Sequence, residues 1–202
     1  MANNFFNAVK PNISADASAP TTVYSPSAIK AIAIELDAAN KSSSGVTITV
    51  SIEDNSANVS ATAATVSSAA NGTFTDSSHG LVVGDRLLFA FNTAPNIASG
   101  STDSALLNTK IYYVQAKTDN TFHIAETRSA STPIKFSSAG ASITYIKKAI
   151  ADVVRDAPIP VGGALKVIAG QKLVLEASDK LYAHCSSANN VDVVASVLAE
   201  VS

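Results

Sequence analysis

The side chains best suited to catalysis or metal binding are few and scattered in this sequence. The three histidines, His79, His123 and His184, show neither the HxxxH nor the HExxH spacing of metal sites, and Cys185 has no second thiol to pair with. His184 and Cys185 are neighbours on a predicted strand, where successive side chains point to opposite faces. They therefore cannot form a nucleophile–base pair, and we expect Cys185 to be a buried core thiol.

Paired carboxylates are the other candidates for chemistry. Glu53 and Asp54 are adjacent in a predicted turn, and Asp152 and Asp156 lie on a predicted strand. Glycoside hydrolysis needs two carboxyl groups held across a cleft, whereas adjacent acids in a turn usually cap backbone N–H groups. Glu53, Asp54 and Asn55 also provide too few oxygens for calcium by themselves. We expect no catalytic residue, no metal site and no cofactor, so the sequence predicts a protein that is not an enzyme.

Two short motifs are better explained as turns than as sites. His79 precedes Gly80 and a strand, so we expect a histidine that hydrogen-bonds to the backbone of a turn. Gly84-Asp85-Arg86 indicates a β-turn in which Asp85 bonds the backbone and Arg86 pairs nearby.

Composition narrows the possible partners. The 202 residues are 47% hydrophobic and only 15% charged, with a formal net charge of −2, so no bulk field attracts nucleic acid or an acidic membrane. The start, MANNFFNAVKPN, lacks the features of a secretion signal, and no apolar run approaches the roughly 18 residues of a membrane-spanning helix. We expect a chain made in a cytoplasm and soluble until it assembles, with part of its surface hidden by neighbours.

Short alternating segments predict an all-β protein. Val46 to Ile52 alternates, with its four aliphatic side chains inward, and Ile29 to Leu36 places Ile32, Ile34 and Leu36 on one face. Further strands are predicted from Ala164 onwards, separated by turns, after a rigid connector at residues 158–163. Strands about every ten residues favour an antiparallel β-sandwich with a jelly-roll-like arrangement.

The middle of the chain has a different composition. It contains five of the seven phenylalanines, and its predicted strands, such as Leu81 to Phe91, follow a low-complexity entry at residues 61–70. An aromatic cluster of this kind gives a small domain its own core. We expect a small β-barrel over residues 58–149, inserted into one hairpin of a sandwich formed by residues 1–57 and 150–202.

Continuity of that hairpin supports the insertion. Val46 to Ile52 ends at a turn, and its natural partner is Asp152 to Asp156. The stretch Ile146 to Arg155 could instead form a short amphipathic helix, and periodicity leaves both alternatives open.

Four aromatic residues are candidates for interaction. Alternation places one ring of Tyr112-Tyr113 inside the small barrel and the other outside, where it could bind a sugar or another subunit. Phe5 and Phe6 lie in an apolar N-terminal arm, residues 2–20, that shows little regular pattern. The arm could clasp a neighbouring subunit, fold over its own sandwich or remain loose.

Several flanking segments resemble small virion structural proteins of tailed bacteriophages, notably those of marine cyanobacteria. The similar segments are MANNF with NAV, TTVY, VTITVSIEDNSAN, APIPVGGAL, GQKLVLE and VDVVASVL. In those relatives the hairpin commonly runs through without an insert. The resemblance covers about half of the chain and implies a virion protein without saying where on the virion it lies.

The middle segment resembles a separate small module that decorates phage tail and fibre proteins. The similar residues are Thr73-Phe74-Thr75, His79-Gly80-Leu81, Gly84-Asp85-Arg86, Leu87 to Phe89, Tyr112-Tyr113-Val114 and Asn120-Thr121-Phe122. The serine-rich loop 92–109 departs from that pattern, because it lacks the usual proline–leucine entry to the tyrosine strand.

The resemblance implies a head-decoration or neck or tail accessory protein that docks through its sandwich and projects the inserted domain. Its expected partners are further copies of itself, as a trimer or larger ring, and capsid, neck or tail proteins. The alternative is a receptor- or glycan-binding module of the tail or fibre apparatus, which would use the 92–109 loop and the exposed tyrosine.

Overall fold

A computed structural model describes residues 4–27 and 29–201, and in these residues the chain forms antiparallel β-strands and no helix. None of the described segments is therefore a helix of the length and apolarity that crossing a bilayer requires. In chain order the strands are β1 (Asn4–Lys10), β2 (Thr21–Tyr24), β3 (Lys30–Asn40), β4 (Val46–Glu53), β5 (Thr62–Ser68), β6 (Thr73–Thr75), β7 (Arg86–Ala90), β8 (Ile97–Ser99), β9 (Ile111–Lys117), β10 (Thr121–Ala125), β11 (Lys135–Phe136), β12 (Ile143–Lys148), β13 (Ile150–Ile159), β14 (Ala164–Ile168), β15 (Leu173–Leu175), β16 (Lys180–Cys185) and β17 (Val191–Val201).

The strands fall into two compact units. The first holds the described residues up to Ala57 and from Ala149 onwards, and the second is Asn58–Lys148. The sequence predicts a first unit that resumes at residue 150, one position later.

The first unit contains two sheets that share one hydrophobic core. One sheet has the order β1-β17-β3-β14, with β15 also paired to β3, and the other has the order β13-β4-β16-β2. The core draws side chains from both sheets, with Leu36 and Val193 from one and Ile48 and Leu181 from the other fully buried together. Alternation along each strand turns one set of side chains to this core, which gives a sandwich-like arrangement.

The predicted pairing of the β4 segment is confirmed. β4 pairs antiparallel with β13, from Glu53 opposite Ile150 to Val46 opposite Ile159. The helical alternative for residues 146–155 is wrong, because β12 and β13 together occupy all but one of these positions. Pro158, expected in a connector, lies within β13, where an edge strand tolerates its missing N–H group.

A bulge in β3 changes which side chains face the core. The register with β17 skips Ile34, since Ser196 pairs with Glu35 and Val197 with Ala33. Ala33 and Leu36 are both fully buried, whereas Ile32 is only partly buried. The prediction that Ile32, Ile34 and Leu36 share one face is therefore wrong, because one extra residue inverts the alternation.

The second unit has a core of its own. Six of its strands pair in the closed cycle β10-β6-β5-β12-β7-β9, and β11 pairs with β8. Phe74 is fully buried at the centre, with its ring 5.2 Å from those of Phe89 and Phe122 and 5.5 Å from that of Phe136. Two boundaries differ from the predictions: the low-complexity entry contains β5, and the strand expected from Leu81 begins only at Arg86 because residues 81–85 form a turn.

Candidate interaction surface

The N-terminal arm is a regular strand in its first part. β1 pairs with β17 without interruption, from Asn4 opposite Ala199 to Lys10 opposite Val193. It therefore folds onto its own sandwich, which is one of the alternatives that the sequence left open. The expectation of little regular pattern is wrong over these seven residues, because pairing with β17 orders a segment that has only modest strand propensity of its own.

The two adjacent phenylalanines face opposite sides of this sheet. Phe6 points inward against the core, with its ring 5.7 Å from that of Tyr24 in an edge-on contact. Phe5 points outward and is 61% exposed. Of the two candidates, only Phe5 is available to a partner.

Phe5 begins a row of apolar side chains across the outer face of the sheet. In register, Phe5 lies opposite Leu198, Leu198 opposite Ile32, and Ile32 opposite Val174. Directly opposite residues in antiparallel strands point to the same face, so this row crosses β1, β17, β3 and β15. Leu198 and Ile32 are partly buried and Val174 is 52% exposed. We call these four residues the outer row.

A second row on the same face changes from apolar to charged. Val9 lies opposite Val194, Val194 opposite Asp37, and Asp37 opposite Lys166. Lys166 forms an ion pair with Glu35, the register neighbour of Ser196. In this second row the apolar side chains lie on β1 and β17, and charged side chains take their place on β3 and β14.

Tyr112 lies inside the second unit. It is fully buried, its ring lies 5.9 Å from that of Phe89, and its hydroxyl accepts a hydrogen bond from the Leu107 N–H at 3.0 Å. Burial raises the pKa of this phenol to about 12. Tyr112 is thus a core residue with one satisfied polar group.

Tyr113 is also buried, at 5% exposure, on the opposite face of β9. The guanidinium carbon of Arg86 lies 5.5 Å from the centre of its ring, which is a cation–π contact. The prediction that one of the two tyrosines is exposed is therefore wrong. Alternation does place the rings on opposite faces, but an arginine covers the outer one.

The 92–109 segment is held in place more firmly than its serine-rich sequence suggests. Within it, β8 pairs with β11, Asn96 bridges to Ala105, and Thr93 bridges to Ala141. Leu106 is almost completely buried in the core of the second unit. The sequence signal for an ordered segment was an apolar residue, Leu106, within an otherwise polar loop.

The side chains of His79 and Asp85 both bond the backbone of the turns in which they lie. The Leu81 N–H donates to Nδ1 of His79 at 3.0 Å, which leaves Nε2 to carry the proton toward the Thr121 carbonyl, 3.3 Å away. Asp85 accepts a hydrogen bond from the Val82 N–H at 2.8 Å and forms an ion pair with Lys147. The two turns are confirmed, except that Arg86 already lies in β7.

The carboxylates of the predicted turn have different roles. Asp54 accepts hydrogen bonds from the hydroxyl and N–H of Ser56 and from the N–H of Ala57, and the bond from the Ser56 hydroxyl is the largest cause of its lowered pKa. Glu53 is instead the last residue of β4 and is fully buried, where it accepts a hydrogen bond from the Tyr182 hydroxyl at 2.8 Å. The expectation that both acids lie in a turn is wrong for Glu53.

The buried thiol and the acidic residues form no obvious chemical centre. Cys185 is buried in the core of the first unit, as predicted, and burial raises its thiol pKa. Within residues 4–27 and 29–201, no group of three or more His, Cys, Asp and Glu side chains is arranged to hold a metal ion. The best-formed candidate on the described surface is therefore the apolar part of the outer sheet face.

Comparison with known proteins found no significant match. The chain matches no protein-family model, and no curated protein and no solved structure is significantly similar to it.

Proposed function

We propose that this chain is a non-enzymatic structural protein of a tailed-bacteriophage virion, namely a head-decoration protein or a neck or tail accessory protein. It is made in the bacterial cytoplasm and is incorporated into the particle there. Its partners are further copies of itself, as a trimer or larger ring, and capsid, neck or tail proteins. It binds no nucleic acid, membrane or cofactor.

The observation that carries this proposal is the outer row. Phe5 and Val174 are more than half exposed at the two ends of a line of apolar side chains that crosses four strands. A large apolar side chain in water is unfavourable by about 25 cal/mol per Å² relative to a buried one, so a contiguous set favours a protein whose surface is covered by a partner. Assembly, rather than turnover of a substrate, makes use of such a face.

The proposal includes a finer architecture. We infer that the first unit is a jelly-roll-like β-sandwich that docks, and that residues 58–149 are a small β-barrel inserted in the β4–β13 hairpin and carried by the particle as a separate module. The support is that β4 pairs with β13 although the whole second unit separates them in the chain, and that the strands of this unit pair in a cycle about their own aromatic core.

The alternative is a receptor- or glycan-binding role, for which the sequence offered two contacts. One of these contacts was an exposed tyrosine at position 112 or 113, and both rings are buried. The other contact was the 92–109 segment, which Leu106 anchors in the core of the second unit.

Labelling of purified particles tests the virion assignment. Antibodies against the whole chain are applied to purified phage that encodes it, and electron microscopy locates the label. We expect label at symmetric positions on the head, neck or tail and the chain among the proteins of washed particles. A chain found only in the soluble lysate contradicts the proposal.

Deletion of the second unit separates docking from receptor binding. In a phage that carries the chain with Ala57 joined to Ala149, we expect intact virions that lack one projection and adsorb normally. Normal assembly with lost adsorption would favour the receptor-binding role instead. A matched control replaces Val83, an exposed residue of the same unit outside the 92–109 segment, with serine and leaves both properties unchanged.

A further inference from the structure

Strand β1 forms one free edge of the first unit. The two sheets of this unit end in β1 and β14 on one side of the core and in β13 and β2 on the other, with β15 sharing the β14 side of β3. Each end strand presents unpaired backbone N–H and C=O groups, which can pair with a strand of another chain. Soluble proteins usually protect such edges with charges, prolines, bulges or short strands.

Three of these edges have such protection. β13 contains two irregularities of register, the charged residues Asp152 and Arg155, and Pro158. β14 contains one irregularity and the exposed Lys166, and β15 beside it has only three residues. β2 has four residues and an irregular register with β16.

The edge at β1 has almost none of these features. β1 runs for seven residues in continuous register with β17, contains no proline, and carries a single charge, on Lys10. In the described part of the chain, β17 is the only strand that pairs with it. Its outward side chains, Phe5, Asn7 and Val9, include two large apolar groups.

We propose that two copies of this chain join through β1, paired antiparallel about a two-fold axis at Asn7. This register places Phe5 opposite the second copy's Val9 on the outer face. On the core-facing side it places Phe6 opposite the second copy's Ala8. Each pair sets a large side chain against a smaller one, and aromatic with β-branched pairs stabilise antiparallel strands. The two sheets then form one continuous sheet.

The side-chain pattern of β1 favours a second copy as the occupant, because self-pairing sets large side chains against small ones and opposes no like charges. Antiparallel self-pairing places each Lys10 opposite the other copy's Asn4, so the two lysines lie at opposite ends of the contact. Six residues along a strand separate them by about 20 Å, which is well beyond the screening length at physiological salt. Self-pairing of the strand therefore opposes no like charges.

Asn7 is suited to the position on the axis. Its Oδ1 accepts a hydrogen bond from the Ser196 hydroxyl at 3.1 Å, which holds the amide on the outer face. Two such amides meet across the axis. The contact deepens the proposed function, since it supplies a two-fold interface of the homo-oligomer. By itself this interface gives a dimer, and a ring or a pair of trimers needs a second, head-to-tail interface. It is nevertheless tested in solution, independently of the particle labelling.

Opposed charges at Asn7 test the contact. The whole chain and its variants are studied by sedimentation velocity, with circular dichroism to show that each variant is folded. We expect a dimer for the unaltered chain. Asn7→Lys and Asn7→Asp each place like charges directly across the axis, so each raises the dimer dissociation constant about tenfold or more. An equimolar mixture of the two restores dimers.

Val194→Lys is the matched control, because Val194 lies on the same outer face but on β17, one strand away from the edge. It should leave the dimer intact. A monomeric unaltered chain overturns the proposal, and so does a dimer that Asn7→Lys leaves unchanged. Loss of the dimer in the Val194→Lys variant also overturns it, because the contact would then involve the sheet face.

A disulfide provides a second measurement that does not depend on weakened association. Directly opposite residues in antiparallel strands have Cα atoms about 4.5–5.5 Å apart, which a disulfide can span. Asn7→Cys should therefore give a covalent dimer on mild oxidation, whereas Val194→Cys should not. The native Cys185 is buried and is common to both variants. Failure of Asn7→Cys to cross-link contradicts the proposed register.

Discussion

The hydroxyl of Tyr182 donates a hydrogen bond to Oε2 of Glu53 at 2.8 Å, across neighbouring strands β16 and β4. Glu53 is fully buried and Tyr182 is nearly so. A carboxylate inside a sandwich is unfavourable unless hydrogen bonds replace its water, so the bond from Tyr182 offsets part of the free energy lost when Glu53 is buried.

Removal of the Tyr182 hydroxyl should destabilise the first unit. Tyr182→Phe leaves the buried carboxylate with one donor fewer, and we expect the free energy of unfolding to fall by about 1–3 kcal/mol in urea denaturation. Glu53→Gln is the control, because it keeps an oxygen acceptor for the Tyr182 hydroxyl and removes the charge. A Tyr182→Phe variant as stable as the parent would show that the bond contributes nothing.

The raised pKa of Tyr112 predicts a loss of stability at alkaline pH. The folded protein holds this phenolic proton up to about pH 12, whereas the unfolded chain releases it near 10. The stabilising contribution is therefore complete below pH 10 and declines as the pH rises from 10 through 12. Unfolding free energies measured along this range should fall less steeply in the Tyr112→Phe variant.

Absorbance titration of the tyrosines gives the matching measurement. Burial is also the largest cause of the raised pKa of Tyr145 and of Tyr182, each of which also donates its hydroxyl proton to a carboxylate, Asp76 and Glu53 respectively. We expect that in the folded protein a late group of phenols ionises at a higher pH than the other tyrosines. In strong denaturant all of the tyrosines should ionise over the same pH range. Tyr112→Phe should remove one phenol from that late group, and an unchanged titration would contradict the assignment.

Gly72 and Gly80 form a matched pair for testing the second unit. Both have a positive φ, at 68° and 63°, but a Cβ on Gly72 would lie 1.8 Å from the Ile134 carbonyl oxygen, whereas a Cβ on Gly80 meets nothing within 4 Å. Gly80→Ala should cost only the backbone term of about 1–2 kcal/mol. Gly72→Ala should lower the stability measured by thermal unfolding clearly more, because the backbone at Ile134, directly before β11, must move. Equal effects would show that the close approach at Gly72 can relax.

Asn40 joins the end of β3 to the loop before β4 and to the end of β13. Its buried Nδ2 donates to the carbonyl oxygens of Ser44, Ile159 and Pro160, and its Oδ1 accepts from the N–H and hydroxyl of Ser42. Asn40→Asp has the same shape but faces three carbonyls with a carboxylate, so we expect a loss of about 3 kcal/mol or more at neutral pH.

The Asn40→Asp loss should shrink as the pH is lowered, because protonation removes the charge and restores one donor. Asn40→Ala is the control and should show no such recovery relative to the parent. The readout is the free energy of unfolding in urea at neutral and acidic pH. A loss in the aspartate variant that does not change with pH would exclude charge as its cause.

The sequence determined the parts of this protein that depend on local pattern. Alternation from Val46 to Ile52 and the matching stretch at Asp152 to Asp156 were enough to predict the β4–β13 pairing, and composition was enough to place the phenylalanines in a core of their own. Turn chemistry placed His79 and Asp85 correctly, since these side chains bond the backbone within a few residues.

Only the tertiary structure decided which of these side chains face water. A one-residue bulge at Ile34 inverts the alternation of β3, so small alanines fill the core and Ile32 lies in the outer row. Arg86 covers Tyr113, and Tyr182 donates a hydrogen bond to the buried Glu53, although both partners are distant in the chain. The exposure of a side chain and its hydrogen-bond partners depend on which strands become neighbours. The sequence of one strand does not specify its neighbours.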